Sequence, residues 1–262
     1  MYQEVDALNN LLPFIKKELK AYFYSPIAYI VAGVFLGLVG YFFYSSMQGF
    51  SMQAVQFSAS TSEITGFNPT NVIMKGLFRS MGTVFVLLTP LITMRLIAEE
   101  KRARTMELLM TSPLSIMTII AGKFIAALII YSIIIMSTIY IPLTIEYFST
   151  VSWTHVFTGY LGLLLIGMAM ISVGVLCSAV TDKQVIAAVL TIGILVLFWF
   201  IGGGIGGHTE NITNIMRELS LFSHFENLYS GLLDTRDIVY LLSFAVVALF
   251  LSHRVLESGR WK

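Results

Sequence analysis

Residues 76–113 read GLFRSMGTVFVLLTPLITMRLIAEEKRARTMELLMTSP. From Gly76 to Ile97 the stretch carries only two charges, Arg79 and Arg95, and is long enough to cross a bilayer, which takes roughly 20 mostly apolar residues in a helix. A charged segment follows at once, with Glu99, Glu100, Lys101, Arg102, Arg104 and Glu107 close together. Apolar character resumes at Phe124 and runs to Ile145. Backbone amides cannot stay unpaired in hydrocarbon, so both apolar runs are helical. The fold is therefore a helical membrane bundle, with a polar helix-forming segment on one of its faces.

Composition agrees. Hydrophobic residues make up 56% of the 262 and charged residues 12%, against about 25% charged in a typical soluble domain. Mean hydropathy is +0.81. Most of the surface must face lipid. The formal net charge of +1 gives no electrostatic reason to expect nucleic acid as a partner. The single cysteine, Cys177, excludes a disulfide framework and a cysteine metal cluster. The first residues lack a signal-peptide pattern, so insertion is expected to use the spans themselves.

Six runs have the length of a span: Pro26–Met47, Gly76–Ile97, Phe124–Ile145, Val156–Val180, Val185–Ile205 and Ile238–Leu256. Lys16, Lys17, Lys20, Arg95, Lys101, Arg102, Arg104, Lys123, Lys183, Arg254, Arg260 and Lys262 fall on one side, which is 12 of the 16 basic residues. Only Lys75, Arg79, Arg217 and Arg236 fall on the other. The positive-inside rule puts the first set, and with it both termini, in the cytoplasm. An even number of spans demands the same answer. The expected class is all-α and polytopic, six transmembrane helices in a single membrane-spanning domain over residues 1–262 with lipid around it.

Three extramembrane pieces carry helix patterns. Leu12, Ile15, Leu19, Tyr22 and Phe23 alternate with Lys16, Lys17, Glu18 and Lys20, which reads as an interfacial helix within residues 4–25. Pro26 suits the first turn of the span that follows. On the outer side, Ile212, Ile215, Met216, Leu219, Phe222 and Phe225 recur every three or four residues. They give an amphipathic segment that lies on the outer leaflet or dips back into it. Thr181-Asp182-Lys183-Gln184 leaves room only for a tight hairpin.

The third piece is residues 98–115. A helix over Glu99–Met110 sets Glu100 and Arg104 four apart, an acid-before-base pair. It also puts Ala103, Met106 and Met110 on one face. Pro113 stops it by disfavouring helical geometry at Ser112. One reading is a solvated loop between spans; the other is a docking element for a soluble partner.

Chemistry of other kinds is missing. There is no G-x-x-x-x-G-K-[ST] phosphate loop, no His-x-x-x-His or Cys-x-x-Cys pair and no G-x-S-x-G elbow. No ionisable residue lies in the middle of a span, which argues against an ion-coupled carrier or a charged-ring channel. Gly202–Gly207 reads as a hinge or a flexible exit from the membrane. Ser132, Ser137 and Thr138 could line a path or bond between helices. Trp153, Trp199 and Trp261 suit interfacial belts.

The stretch Glu99-Glu100-Lys101-Arg102-Ala103-Arg104-Thr105-Met106-Glu107-Leu108-Leu109-Met110-Thr111-Ser112-Pro113, with Gly122-Lys123 after it, resembles the signature of type-2 ABC transporter permeases. That family reads E-(E)-x-x-x-(G)-T-x-E-x-L-L-x-x-P before a Gly-Lys at the third span. Arg104 stands where the family commonly has Gly. The ending Leu256-Glu257-Ser258-Gly259-Arg260-Trp261-Lys262 is similar to the gliding-motility and Nos-type branch. The resemblance implies a permease subunit with a cytoplasmic coupling helix between spans two and three. Glu99, Glu100, Thr105, Glu107 and Leu108 would lie at the docking surface for an ABC ATPase, with Pro113 ending it. It also implies two ATPase copies, a second permease as homodimer or heterodimer, and location in a bacterial inner membrane. ATP and magnesium would bind the ATPase; this chain would hold no cofactor, no metal and no catalytic residue. The expected function is ATP-driven export. The alternative is a mechanical scaffold that acts on an extracytoplasmic accessory protein and moves no solute.

Overall fold

The computed structural model describes residues 2–59, 69–106, 115–148, 151–201 and 216–259. These residues are almost entirely helical and include no strand. The helices are α1 (Tyr2–Tyr24), α2 (Pro26–Ala59), α3 (Pro69–Thr93), α4 (Ala98–Arg102), α5 (Ile116–Met136), α6 (Tyr140–Phe148), α7 (Trp153–Val180), α8 (Gln184–Phe200), α9 (Leu221–Tyr229) and α10 (Thr235–Gly259). A 3-10 turn, Ser137–Ile139, joins α5 to α6. Pro26 opens α2, where its missing N–H costs nothing.

Five stretches are long and apolar enough to cross a membrane: Pro26–Gly49, Ile73–Arg102, Ile116–Tyr147, Trp153–Val180 and Thr235–Ser258. The remaining predicted run differs. Among the described residues it forms a helix only over Gln184–Phe200, 17 residues. That is about 26 Å at 1.5 Å per residue, short of a hydrocarbon core of about 30 Å. The glycine run at 202–207 lies outside the described residues.

α7 is the central post. It packs against α3, α5, α8, α9 and α10, and most of it is buried. It reaches this position by small residues at the contacts. A Cβ on Gly159 would collide with the Phe78 ring, and one on Gly167 with Tyr131. Tyr131 cannot swing aside freely, because its hydroxyl donates to the Leu163 carbonyl at 2.8 Å. α2 and α10 lie at the rim, with Tyr29, Ile30, Tyr41, Val239, Val246 and Phe250 exposed. In a membrane chain such faces meet lipid or another subunit rather than water.

Of the apolar face predicted for the outer segment, Phe225 is buried, Met216 and Phe222 are half-buried and Leu219 is exposed, because the helix breaks at Ser220 and starts again at Leu221 on a different face. α9 buries Leu221, His224, Phe225, Leu228 and Tyr229, spaced as one helix face. Ile212 and Ile215 lie outside the described residues. α9 folds onto α7 and α10. His224 Nδ1 sits 2.6 Å from Asp237 Oδ1 on α10, and Asn227 donates to the same oxygen at 3.3 Å. Trp199, expected in an interfacial belt, is instead core: it is buried and packs on Phe222 and Phe225. The reason is α9, whose aromatic face covers it. Of the polar residues on the third span, Thr138 bonds across to Tyr160 at 3.0 Å, whereas Ser132 and Ser137 return their protons to carbonyls of their own helix.

Candidate functional site

The charged connection between α3 and α5 does not form the single helix over Glu99–Met110 that its spacing suggests. α4 ends at Arg102, and Arg104 adopts φ 56. That left-handed conformation suits glycine and disfavours a residue with a Cβ. The chain turns there, so Ala103 is exposed while Met106 is buried. The Glu100–Arg104 pair expected on a continuous helix is replaced: Glu100 bonds Lys123 instead. A buried cation offers a stronger partner than a solvated one four residues along.

α4 is held from two sides. One is the end of α7. Ser178 Oγ accepts from the backbone N–H groups of Ile97 and Ala98, both at 3.0 Å, and donates to the Met94 carbonyl at 3.3 Å. It thus supplies the acceptor that α4's own N-cap, Ile97, lacks. Lys101 Nζ donates to the Ala179 carbonyl at the C-terminus of α7, where a cation meets unpaired carbonyls and the negative end of the helix dipole.

The other anchor is α5. Lys123 Nζ lies 2.8 Å from Glu100 Oε1 and 3.2 Å from Glu18 Oε1, and its side chain is only 3% exposed. One ammonium therefore ties α1, α4 and α5 together. The preceding Gly122 explains the Gly-Lys pairing physically. A Cβ there would strike the Phe14 ring of α1, and it is this close approach that brings Glu18 within reach of Lys123. α1 is further fixed by Tyr22, whose hydroxyl donates to the Ile92 carbonyl at 3.0 Å. Burial, and secondarily Glu18, hold that phenol far above its usual range, so it remains a donor at every physiological pH.

The predicted site residues are distributed as follows. Glu100 is partly buried and committed to Lys123. Glu99 and Thr105 are exposed, and Thr105 Oγ1 donates to the Glu100 carbonyl at 3.3 Å. Glu107, Leu108 and Pro113 lie outside the described residues. Sequence reading places Glu18 only on the polar face of an interfacial helix and does not single out Ser178. Neither has a local signal; each matters only through a partner 80 to 105 positions away in the chain.

A family model described as ABC-2 family transporter protein matches residues 12–257. The chain belongs to the ABC-2 family. It is a multi-pass membrane protein of that transporter family, and the resemblance read from the charged segment holds at this level. No curated protein matches the chain. Within this ABC-2 protein α4 is a polar element tied to α1, α5 and α7 through Glu100, Lys101 and the Ile97 and Ala98 amides, and no group of three or more potential metal ligands occurs among the described residues.

Proposed function

We propose that this chain is the membrane-spanning permease subunit of an ATP-driven exporter, worked by a separate ABC ATPase that docks on residues 98–115. Family membership supports the transport role. The observation that carries the coupling role is the bracing of α4: its amides are capped by Ser178 and its Glu100 is locked to Lys123. A segment that only linked two spans would not need ties to three helices. A push on the exposed Glu99 and Thr105 would pass through these ties to α1, α5 and α7 together. Charged residues at the rim set the register of the partner, and apolar residues such as Leu108 fill its groove.

In this reading there are six spans, with Val185–Ile205 as the fifth. Both termini face the cytoplasm of a bacterial inner membrane. Two permease subunits meet two ATPase subunits, which bind ATP and magnesium, and the branch is the gliding-motility or Nos type.

The test is co-purification with the ATPase and its ATP turnover. Combined Glu99→Ala, Thr105→Ala and Leu108→Ala substitution is expected to lower ATPase recovery at least about tenfold, as loss of a docking hot spot does. Unchanged recovery and turnover would remove the docking role.

A further inference from the structure

Between α1, the start of α2, the end of α3, α4 and α5 lies an open-sided cavity of about 300 Å³, at the small end of ligand sites. Its wall is divided by chemistry. Ile27, Leu91 and Ile130 give an apolar side. The other side carries three cations, Lys17, Arg95 and Lys123, and three anions, Glu18, Glu99 and Glu100. The formal charges cancel, so a simple anion or a simple cation finds no net attraction there. A ligand that carries both charges at once does.

Two of these groups have unspent bonding capacity. Arg95 Nε is buried and meets no hydrogen-bond partner among the described residues; Arg95 Nη1 reaches only Ser25 Oγ at 3.4 Å. Glu100 Oε2 is likewise buried and unpartnered, although Oε1 holds Lys123. Buried polar atoms of this kind are costly when unpaired, and charged ones most of all. A cation and an anion with the same deficit line one cavity. Neither atom touches solvent, so a ligand reaches them by a turn of each side chain about its last torsions.

We propose that this cavity holds a phospholipid headgroup bearing both a phosphate and a primary ammonium, with the phosphate toward Arg95 and the ammonium toward Glu100. The apolar wall takes the start of the acyl chains, which favours a lipid over a free headgroup. A guanidinium suits phosphate oxygens, and a carboxylate suits N–H donors. A quaternary ammonium has no proton to donate and is held by several aromatic faces; Tyr22 is the one ring on this wall among the described residues. The cavity therefore distinguishes ethanolamine from choline, and a zwitterion from an anionic glycerol headgroup. The assignment does not depend on ATPase docking.

The experiment uses the full chain in detergent, without nucleotide, with short-chain phosphatidylethanolamine, phosphatidylcholine or phosphatidylglycerol added. Binding is read by native mass spectrometry and by the shift in thermal midpoint. The ethanolamine lipid is expected to bind at least about tenfold more tightly than the other two, the ratio given by one charge-assisted hydrogen bond. Arg95→Gln and Glu100→Gln should erase that preference. Because Glu100→Gln also weakens the Lys123 tie, Ala28→Trp serves as a second variant. Ala28 lines the cavity, and the larger side chain fills it while leaving every charge in place, so ethanolamine-lipid binding should fall with the unliganded midpoint retained. Equal binding of the three lipids, or a preference that survives both Arg95→Gln and Ala28→Trp, would overturn the assignment. Soluble glycerophosphoethanolamine binding as tightly as the lipid would overturn the lipid source.

Discussion

Lys123 is the residue on which the candidate site turns. Removing its charge leaves Glu18 and Glu100 facing each other in a partly buried pocket, a loss that typically costs about 3–5 kcal/mol. Lys123→Met is therefore expected to lower the thermal midpoint of the detergent-solubilised chain. The triple variant Glu18→Leu, Glu100→Leu, Lys123→Met should recover most of it, because apolar side chains of similar volume often replace a buried ion cluster without loss. If the ties transmit motion, the triple variant regains stability yet not ATP-driven transport. Recovery of both would show that the cluster serves packing alone. Arg104 makes a second residue-scale case. Its φ of 56 costs a residue with a Cβ about 1–2 kcal/mol. Arg104→Gly should be neutral or stabilising, whereas Arg104→Val should loosen the segment, seen as faster amide exchange across residues 98–106.

At the scale of elements, α4 is too short to stand alone; isolated helices under about 12 residues are marginal. Its five residues persist because α7 caps them. Ser178→Ala would leave the Ile97 and Ala98 amides without their acceptor, a loss of about 1–3 kcal/mol. Their exchange should quicken while that of α7 itself is unchanged. Gly122 tests the α1–α5 contact in the same way. Gly122→Val would force the Phe14 ring outward and pull Glu18 from Lys123, so the thermal midpoint should fall, and Phe14→Ala, which removes the clashing ring, should restore part of it. These contacts mark the limit of sequence reading. The long runs at α2, α3, α5, α7 and α10 were plain from hydropathy, as was the 181–184 hairpin. The break at Arg104 was not, because a helical charge pattern runs straight across it. The buried place of Trp199 was hidden too, since belt and core tryptophans look alike until a covering helix such as α9 is placed.

Taken as one molecule, the chain is a post, α7, with a braced polar element at one end and an aromatic cap, α9, at the other. The Asp237 carboxylate, buried against His224 and Asn227, joins that cap to α10. Asp237→Asn removes a charge-assisted bond worth about 1.5–3 kcal/mol. It is expected to free α9 to proteolysis from its own side of the molecule without changing ATPase recovery. Loss of ATPase recovery in that variant would show that the two ends communicate through the post. What the amino-acid sequence determined by itself was the solvent: lipid for most of the surface, hence helices, hence a polytopic bundle with its charge gathered in the segments between spans. Hydropathy and backbone hydrogen bonding are local, additive properties, so they can be read one residue after another. Tertiary structure alone decided which charges meet. Glu18, Glu100 and Lys123 come from three separate helices, and Ser178 caps a helix some 80 residues before it. Those pairings depend on how glycine-lined helices close on one another, and distance in space leaves no mark in a one-dimensional pattern.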